Sequence, residues 1–280
     1  KHSHMRARFL FTAVLFLSVF HSRAQQDSVY YQRDSVVEVE ADCTESFFQR
    51  TKTVAAPAQT LLTLSNGKTY KLSQFVKPAE FGPAPQYGLI DLDDDKKNEL
   101  VIYNFTGGAH CCDEIYIFRN TAPNKYQQAG KMFAGNTCIT QGNEFVFDFY
   151  EQFGYFFTCY ACAWEDTSDV ATVPVHSITL RYKKGALVIQ KGDAALKTHI
   201  TDQLAILSEQ PYEKMEDDIS QDNGLRKEFA LNLAVYYYSF GRNLPATQAL
   251  FNKYYKFPDA KKVWTSFSET LKYIKQQNRF

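Results

Sequence analysis

Alternating apolar and polar residues dominate the chain up to Gly192, and apolar spacings of three and four residues take over after Asp193. Segments such as "TLLTLSNGKTYKL", "YGLIDL", "ELVIYNF", "EIYIFRN", "EFVFDFY", "GYFFTCY" and "SITLRYKKGALVIQ" are rich in Val, Ile, Thr, Tyr and Phe. Many of them carry the period of two that a half-buried strand imposes. "SVYYQ" and "SVVEVEA", nearer the start, read the same way. Asn66-Gly67 signals one tight hairpin turn, Lys183 to Gly185 a second, and Pro78, Gly82, Pro83 and Pro85 a loop before Tyr87.

In the last part of the chain, Leu196, Ile200, Leu204 and Leu207 make one helical stripe with Asp193 as its N-cap. Leu225, Phe229, Leu233, Tyr236, Tyr237 and Phe240 make a broader apolar face, ended by Gly241. Pro245 and Pro258 stand at first-turn positions, the second ahead of a stripe of Val263, Phe267, Leu271 and Ile274. The expected fold class is therefore α+β. A β-rich body of antiparallel, blade-like strand pairs spans residues 25–192, and three to four helices span 193–280. "YYYSFGRNLPATQALFNKYYKFP" resembles a tetratricopeptide helical hairpin, but such repeats need about three copies to bury their faces. One copy predicts a helical cap or small bundle packed on the sheet.

The first residues change the compartment. Arg6 and Arg8 precede the apolar run Phe9 to Phe20, and Ser22-Arg23-Ala24 supplies the small residues of a signal-peptidase site. Cleavage is predicted after Ala24, so residues 1–24 fall outside the mature fold, His2 and His4 included. The apolar run is shorter than the roughly 20 residues of a membrane span, and no later segment is apolar enough for one. Export to the periplasm or the extracellular space is the expectation. Lys+Arg and Asp+Glu both number 31, a balance that leaves no electrostatic footprint for nucleic acid. With 45% hydrophobic and 15% aromatic residues, the chain has the material for a packed globule.

"GLIDLDDDKKNEL" is where candidate chemistry concentrates. Asp91, Asp93 and Asp95 alternate, and Glu99 stands at the ninth position. A hard calcium ion takes six to eight oxygens, which alternating carboxylates supply when the loop folds back on itself. The backbone carbonyl of Lys97 would add another. An EF-hand is excluded, because its glutamate at position twelve is here Ile102. The stretch is similar to the D-x-D-x-D-G-x-x-E/D loops of FG-GAP and VCBS-type repeats, in which a calcium loop joins two strands of a propeller-like blade. The following "TGGAHCCDEIYIF" resembles a segment of secreted bacterial proteins with a Gly-Gly-Ala-His-Cys-Cys run. The resemblance covers about thirty residues and implies a structural or binding role with calcium. It departs at position six, where Lys96 replaces glycine at a left-handed site that costs a side chain about 1 kcal/mol.

Export makes disulfides the first expectation for Cys43, Cys111, Cys112, Cys138, Cys159 and Cys162, whose even number permits complete pairing. All six lie in the first two-thirds of the chain. Cys159 and Cys162 can bridge each other only in a turn or at a helix start. Two other readings stay open at this point. One is zinc on Cys159, Cys162, His110 and Cys112. The other is a redox centre at "CYAC" that lacks the usual strand-to-helix context. Gly107 and Gly108 let the backbone turn ahead of His110, which marks these three as further candidates. Glu144, Asp148, Glu151, Glu165 and Asp166 lie among aromatics, as the acid pair of a glycosidase does. The leading expectation is an exported, disulfide-stabilised binding or structural protein, clipped by calcium, whose partner is a protein or a cell-envelope polymer. The alternatives are a thiol–disulfide oxidoreductase at Cys159/Cys162 and, behind it, a hydrolase using the acidic aromatic region.

Overall fold

The computed structural model describes residues 50–280 apart from 55–58, 65–66, 78–81, 83–84, 108–112, 123–124, 135–136, 140–141, 163, 165–174 and 215–221. The predicted signal segment, the strands at "SVYYQ" and "SVVEVEA", and Cys43, Gly108, His110, Cys111 and Cys112 lie outside the described residues. Among the described residues, eleven strands form antiparallel sheets, and the α+β class read from the sequence is the class observed. A five-stranded sheet runs in the order β1 (Lys52–Thr53), β4 (Gln86–Ile90), β5 (Glu99–Phe105), β6 (Asp113–Ala122) and β7 (Lys125–Ala134). A four-stranded sheet runs β11 (Ala186–Ile189), β10 (Ser177–Lys183), β9 (Glu144–Asp148) and β8 (Thr137–Ile139). Among the described residues, β2 (Leu61–Thr63) and β3 (Thr69–Lys71) pair only with each other, as a separate hairpin. Lys184 and Gly185, at φ 52° and 83°, close the β10–β11 hairpin in the left-handed geometry that its two-residue turn requires.

The first sheet is covered on both faces, and its central strand shows it. Leu100, Val101 and Ile102 of β5 are all 0% exposed. Leu100 and Ile102 join Tyr116 and Phe118 in a small core closed by Leu62, Leu72 and Val76 of the hairpin region. Val101, Ile115 and Ile117 face the other way, into a large core with Phe145, Phe147 and Leu180 of the second sheet. Successive side chains on a strand point to opposite faces, so near-continuous burial follows from covering both.

Among the described residues, four helices follow β11: α2 (Ala194–Ser208), α3 (Leu225–Ser239), α4 (Leu244–Tyr254) and α5 (Ala260–Gln277). Asp193 caps α2 by accepting a hydrogen bond from the Leu196 N–H at 2.8 Å, as the sequence predicts. Pro245 lies in the first turn of α4, whereas Pro258 precedes the Asp259 cap of α5. The predicted stripes are buried: Ile200, Leu204 and Leu207 on α2, Phe229 and Leu233 on α3, Val263, Phe267 and Ile274 on α5. They enter the same large core as the second sheet. Phe149 stacks on Tyr238 at 5.2 Å and Phe153 on Phe267 at 5.8 Å. Near the C-terminus the chain returns to the first sheet, where Arg279 bridges Lys131 of β7. Among the described residues, no helix is long and apolar enough to cross a membrane.

"GYFFTCY", expected as a strand, is not one. The short helix α1 (Tyr150–Phe153) follows β9, and turns carry the chain from Gly154 to Cys162. Asp148 takes the Tyr150 N–H at 2.8 Å and so turns the chain out of the sheet. Phe153 and Phe156, both buried, then pack on each other at 5.4 Å through a turn. Aromatic density imitated strand alternation here, while tertiary packing set the backbone.

Candidate metal centre

The acidic loop is the β4–β5 connection, held between a strand ending at Ile90 and one beginning at Glu99. Asp91 folds the loop back: its Oδ1 accepts from the Asp95 N–H at 3.1 Å and its Oδ2 from the Lys96 N–H at 2.9 Å. Lys96 adopts φ 66° and Asp94 φ 59°, so the lysine takes up a left-handed conformation that favours glycine. Lys96→Gly is expected to stabilise the protein by about 0.5–1 kcal/mol by relieving that conformation. A urea unfolding midpoint that moves down instead would show that the lysine side chain contributes more than the strain removes.

Carboxylate oxygens of Asp91, Asp93 and Glu99 lie within 4.8 Å of one another. Glu99 is 5% exposed, and its Oε2 accepts from the Leu92 N–H at 3.1 Å. Burial, followed by the charges of Asp93 and Asp95, pushes the Glu99 carboxyl up to about 7. Asp93 accepts from the Lys184 N–H through Oδ2 at 3.2 Å, and its buried Oδ1 has no hydrogen-bond partner. An oxygen buried without a partner is costly, and a cation among the three carboxylates would satisfy it. Asp95 stands outside this group. It accepts from the Lys97 N–H at 2.8 Å and pairs with Lys97 Nζ at 3.2 Å. Of the five residues singled out in the loop, three converge, and Asp95 and Lys97 pair with each other.

The loop is also tied to the second sheet. Lys184, which holds Asp93, belongs to the β10–β11 turn. Asn143, just before β9, donates to the Asp91 carbonyl at 2.8 Å and accepts from Arg50 NH1 at 2.6 Å. The carboxylate cluster thus sits where a turn of the first sheet meets the ends of two strands of the second.

The remaining candidates are placed elsewhere. Cys159 and Cys162 form a disulfide across a turn, with Cα atoms 5.0 Å apart, so in this state neither sulfur is a thiolate for zinc. The backbone of Cys138 pairs with Val146 in β8, and Gly107 adopts φ 90° after β5. The acids of the aromatic region serve local structure: Glu144 pairs with Arg181, Asp148 accepts from the Tyr150 N–H, and Glu151 accepts from the Tyr160 hydroxyl at 2.8 Å. Glu165 and Asp166 lie outside the described residues.

Sequence reasoning missed a buried polar run on α3. Arg226, Lys227 and Glu228 are 1%, 1% and 5% exposed, and Asn232 is 0%. His176 Nε2 meets Glu228 Oε2 at 2.9 Å, and Asn232 donates to Glu228 Oε1 at 2.9 Å. Burial pulls the His176 pKa down, but the charge and hydrogen bond of Glu228 outweigh it and leave it raised. Lys227 Nζ reaches the carbonyls of Gly154, Cys159 and Tyr160 at 3.1, 3.0 and 2.9 Å and the Tyr150 hydroxyl at 3.2 Å. Burial lowers its pKa. The only signal in the sequence was three charged residues set between Leu225 and Phe229, which an amphipathic reading assigns to a solvated face. No family model, curated protein or solved structure matches the chain.

Proposed function

We propose that the chain is an exported binding or structural protein in which a divalent cation, calcium by the chemistry of the donors, clips the two sheets together at Asp91, Asp93 and Glu99. The observation that carries this reading is the convergence of three carboxylates, one buried and one with an unpartnered oxygen, in a loop whose Lys96 is left-handed. Hard oxygen donors at the end of a tight acidic loop suit calcium. The likeness of "DLDDDKKNE" to FG-GAP and VCBS-type loops supports the same ion. Because Asp93 and Asp91 are bound to Lys184 and Asn143, ligation would rigidify the seam between the sheets. A seam held in this way suits a scaffold that presents a surface to a protein or a cell-envelope polymer. It needs no reacting group.

Thermal melts in calcium and in chelator test the reading. At calcium about tenfold above Kd, a site present only in the folded state adds roughly 1.4 kcal/mol. For a chain of this size that is a rise in Tm of about 3–6 °C. Asp93→Asn is expected to abolish the rise. An unchanged Tm in millimolar calcium would remove the clip.

A further inference from the structure

The geometry points to Cys159–Cys162 as a reducible disulfide, open to exchange with an external dithiol, whose closure keeps the buried Lys227 ammonium in its oxygen cage. This inference is independent of the calcium reading, since the turn lies on the α1–α3 side of the molecule. Three observations carry it together.

The first is access. Cys159, Tyr160 and Cys162 are only partly buried and Ala161 is exposed, so the bridge closes a surface turn. The second is what the turn holds. Two of the four oxygens around Lys227 Nζ are carbonyls of Cys159 and Tyr160, inside the bridged loop. The other two, the Gly154 carbonyl and the Tyr150 hydroxyl, belong to α1 and its end. Tyr150 also donates to the Tyr160 carbonyl at 2.8 Å, so the two halves of the cage are joined. The third is the charge itself. An ammonium on a residue 1% exposed depends on these oxygens, and its ring contact with Tyr150 at 4.7 Å, for its solvation. A bridge four residues across removes little freedom from the unfolded chain. Its effect therefore falls on the folded state, by fixing where the Cys159 and Tyr160 carbonyls point.

The exchange balances without a cofactor. A thiolate of the dithiol attacks one sulfur of the bridge, forms a mixed disulfide and expels the other cysteine as a thiolate. The second thiol of the reagent then attacks the mixed disulfide and releases the remaining cysteine. Two electrons and two protons pass to Cys159 and Cys162, and the dithiol leaves as its own disulfide. The freed turn no longer constrains two of the cage oxygens, and water reaches Lys227.

The test compares acetylation of native lysines, read by mass spectrometry, in the oxidised protein, after dithiothreitol, and in a C159S/C162S variant. Dithiothreitol is expected to make Cys159 and Cys162 alkylatable in the folded protein and to raise Lys227 labelling at least severalfold. C159S/C162S should show the same Lys227 labelling without reductant, with its helical circular dichroism intact. The variant separates this bridge from any other that the reagent opens. Resistance of the bridge to dithiothreitol under native conditions would overturn the inference. So would a Lys227 as protected in the variant as in the oxidised protein, and so would loss of the whole fold in the variant, because the effect claimed is local.

Discussion

Replacing Arg226 with methionine is expected to destabilise the protein by about 3–5 kcal/mol, the loss seen when one partner of a buried ion pair is removed. Arg226 NH1 contacts Asp222 Oδ2 at 2.6 Å and its Nε contacts Asp259 Oδ2 at 2.6 Å, while NH2 donates to the Glu213 carbonyl at 2.9 Å. The guanidinium also lies 5.0 Å from the Tyr212 ring. The Asp222 side chain is 0% exposed, so methionine would leave a buried carboxylate facing an apolar side chain. Asp222 further accepts from the Gly224 N–H at 2.9 Å, where the chain enters α3, and Asp259 stands at the N-cap position of α5 with its carboxylate turned to Arg226. One arginine thus sets the start of two helices, and planar fork geometry explains why lysine would not replace it. Urea unfolding followed by helical circular dichroism measures the loss. A change below about 1 kcal/mol would mean that the pair is solvated in the folded protein.

The second large effect is a pH dependence carried by Glu99. Its folded pKa of about 7 lies above its ordinary value of 4.5. The folded state therefore binds more protons than the unfolded chain between those values, and stability falls as pH rises through the interval. The loss is about 2–4 kcal/mol across the window in chelator. It is full above pH 7 and absent below pH 4.5. The raised pKa of His176 also makes stability fall with rising pH. For that reason the difference between the wild type and Glu99→Gln is the quantity to measure. Glu99→Gln in chelator should exceed the wild type in stability at pH 8 and match it near pH 4. Parallel curves for the two proteins would show that Glu99 is solvated. Calcium should oppose the same loss in the wild type, because a cation beside Asp91, Asp93 and Glu99 favours the ionised carboxylate.

What the sequence could convey depended on how local the determinant was. Period-two runs located β4, β5, β6, β9 and β10, and spacings of three and four located α2, α3 and α5, because burial of a face writes itself into nearest neighbours, while Pro245 marked only the start of α4. Asp193 and the Lys184-Gly185 turn were legible for the same reason. Alternating aspartates with Glu99 located the carboxylate cluster. The sequence could not say that Asp95 would turn to Lys97, or that Lys184 and Asn143, far along the chain, would hold the loop. "GYFFTCY" misled because aromatics suit a strand and an aromatic-packed turn equally. Arg226, Lys227 and Glu228 were illegible because a charged residue is read as solvated until its partners, Asp259, the Tyr160 carbonyl and His176, are known in space.

Isothermal titration of calcium into the wild-type protein in a metal-free buffer near pH 8, where Glu99 is ionised, tests the clip most directly. Binding of about one ion per chain is expected, with a Kd on the order of 10⁻⁴ M as in extracellular modules, and no heat above dilution for Asp93→Asn. The absence of binding heat in the folded wild type at millimolar calcium, or equal binding by Asp93→Asn, would contradict it.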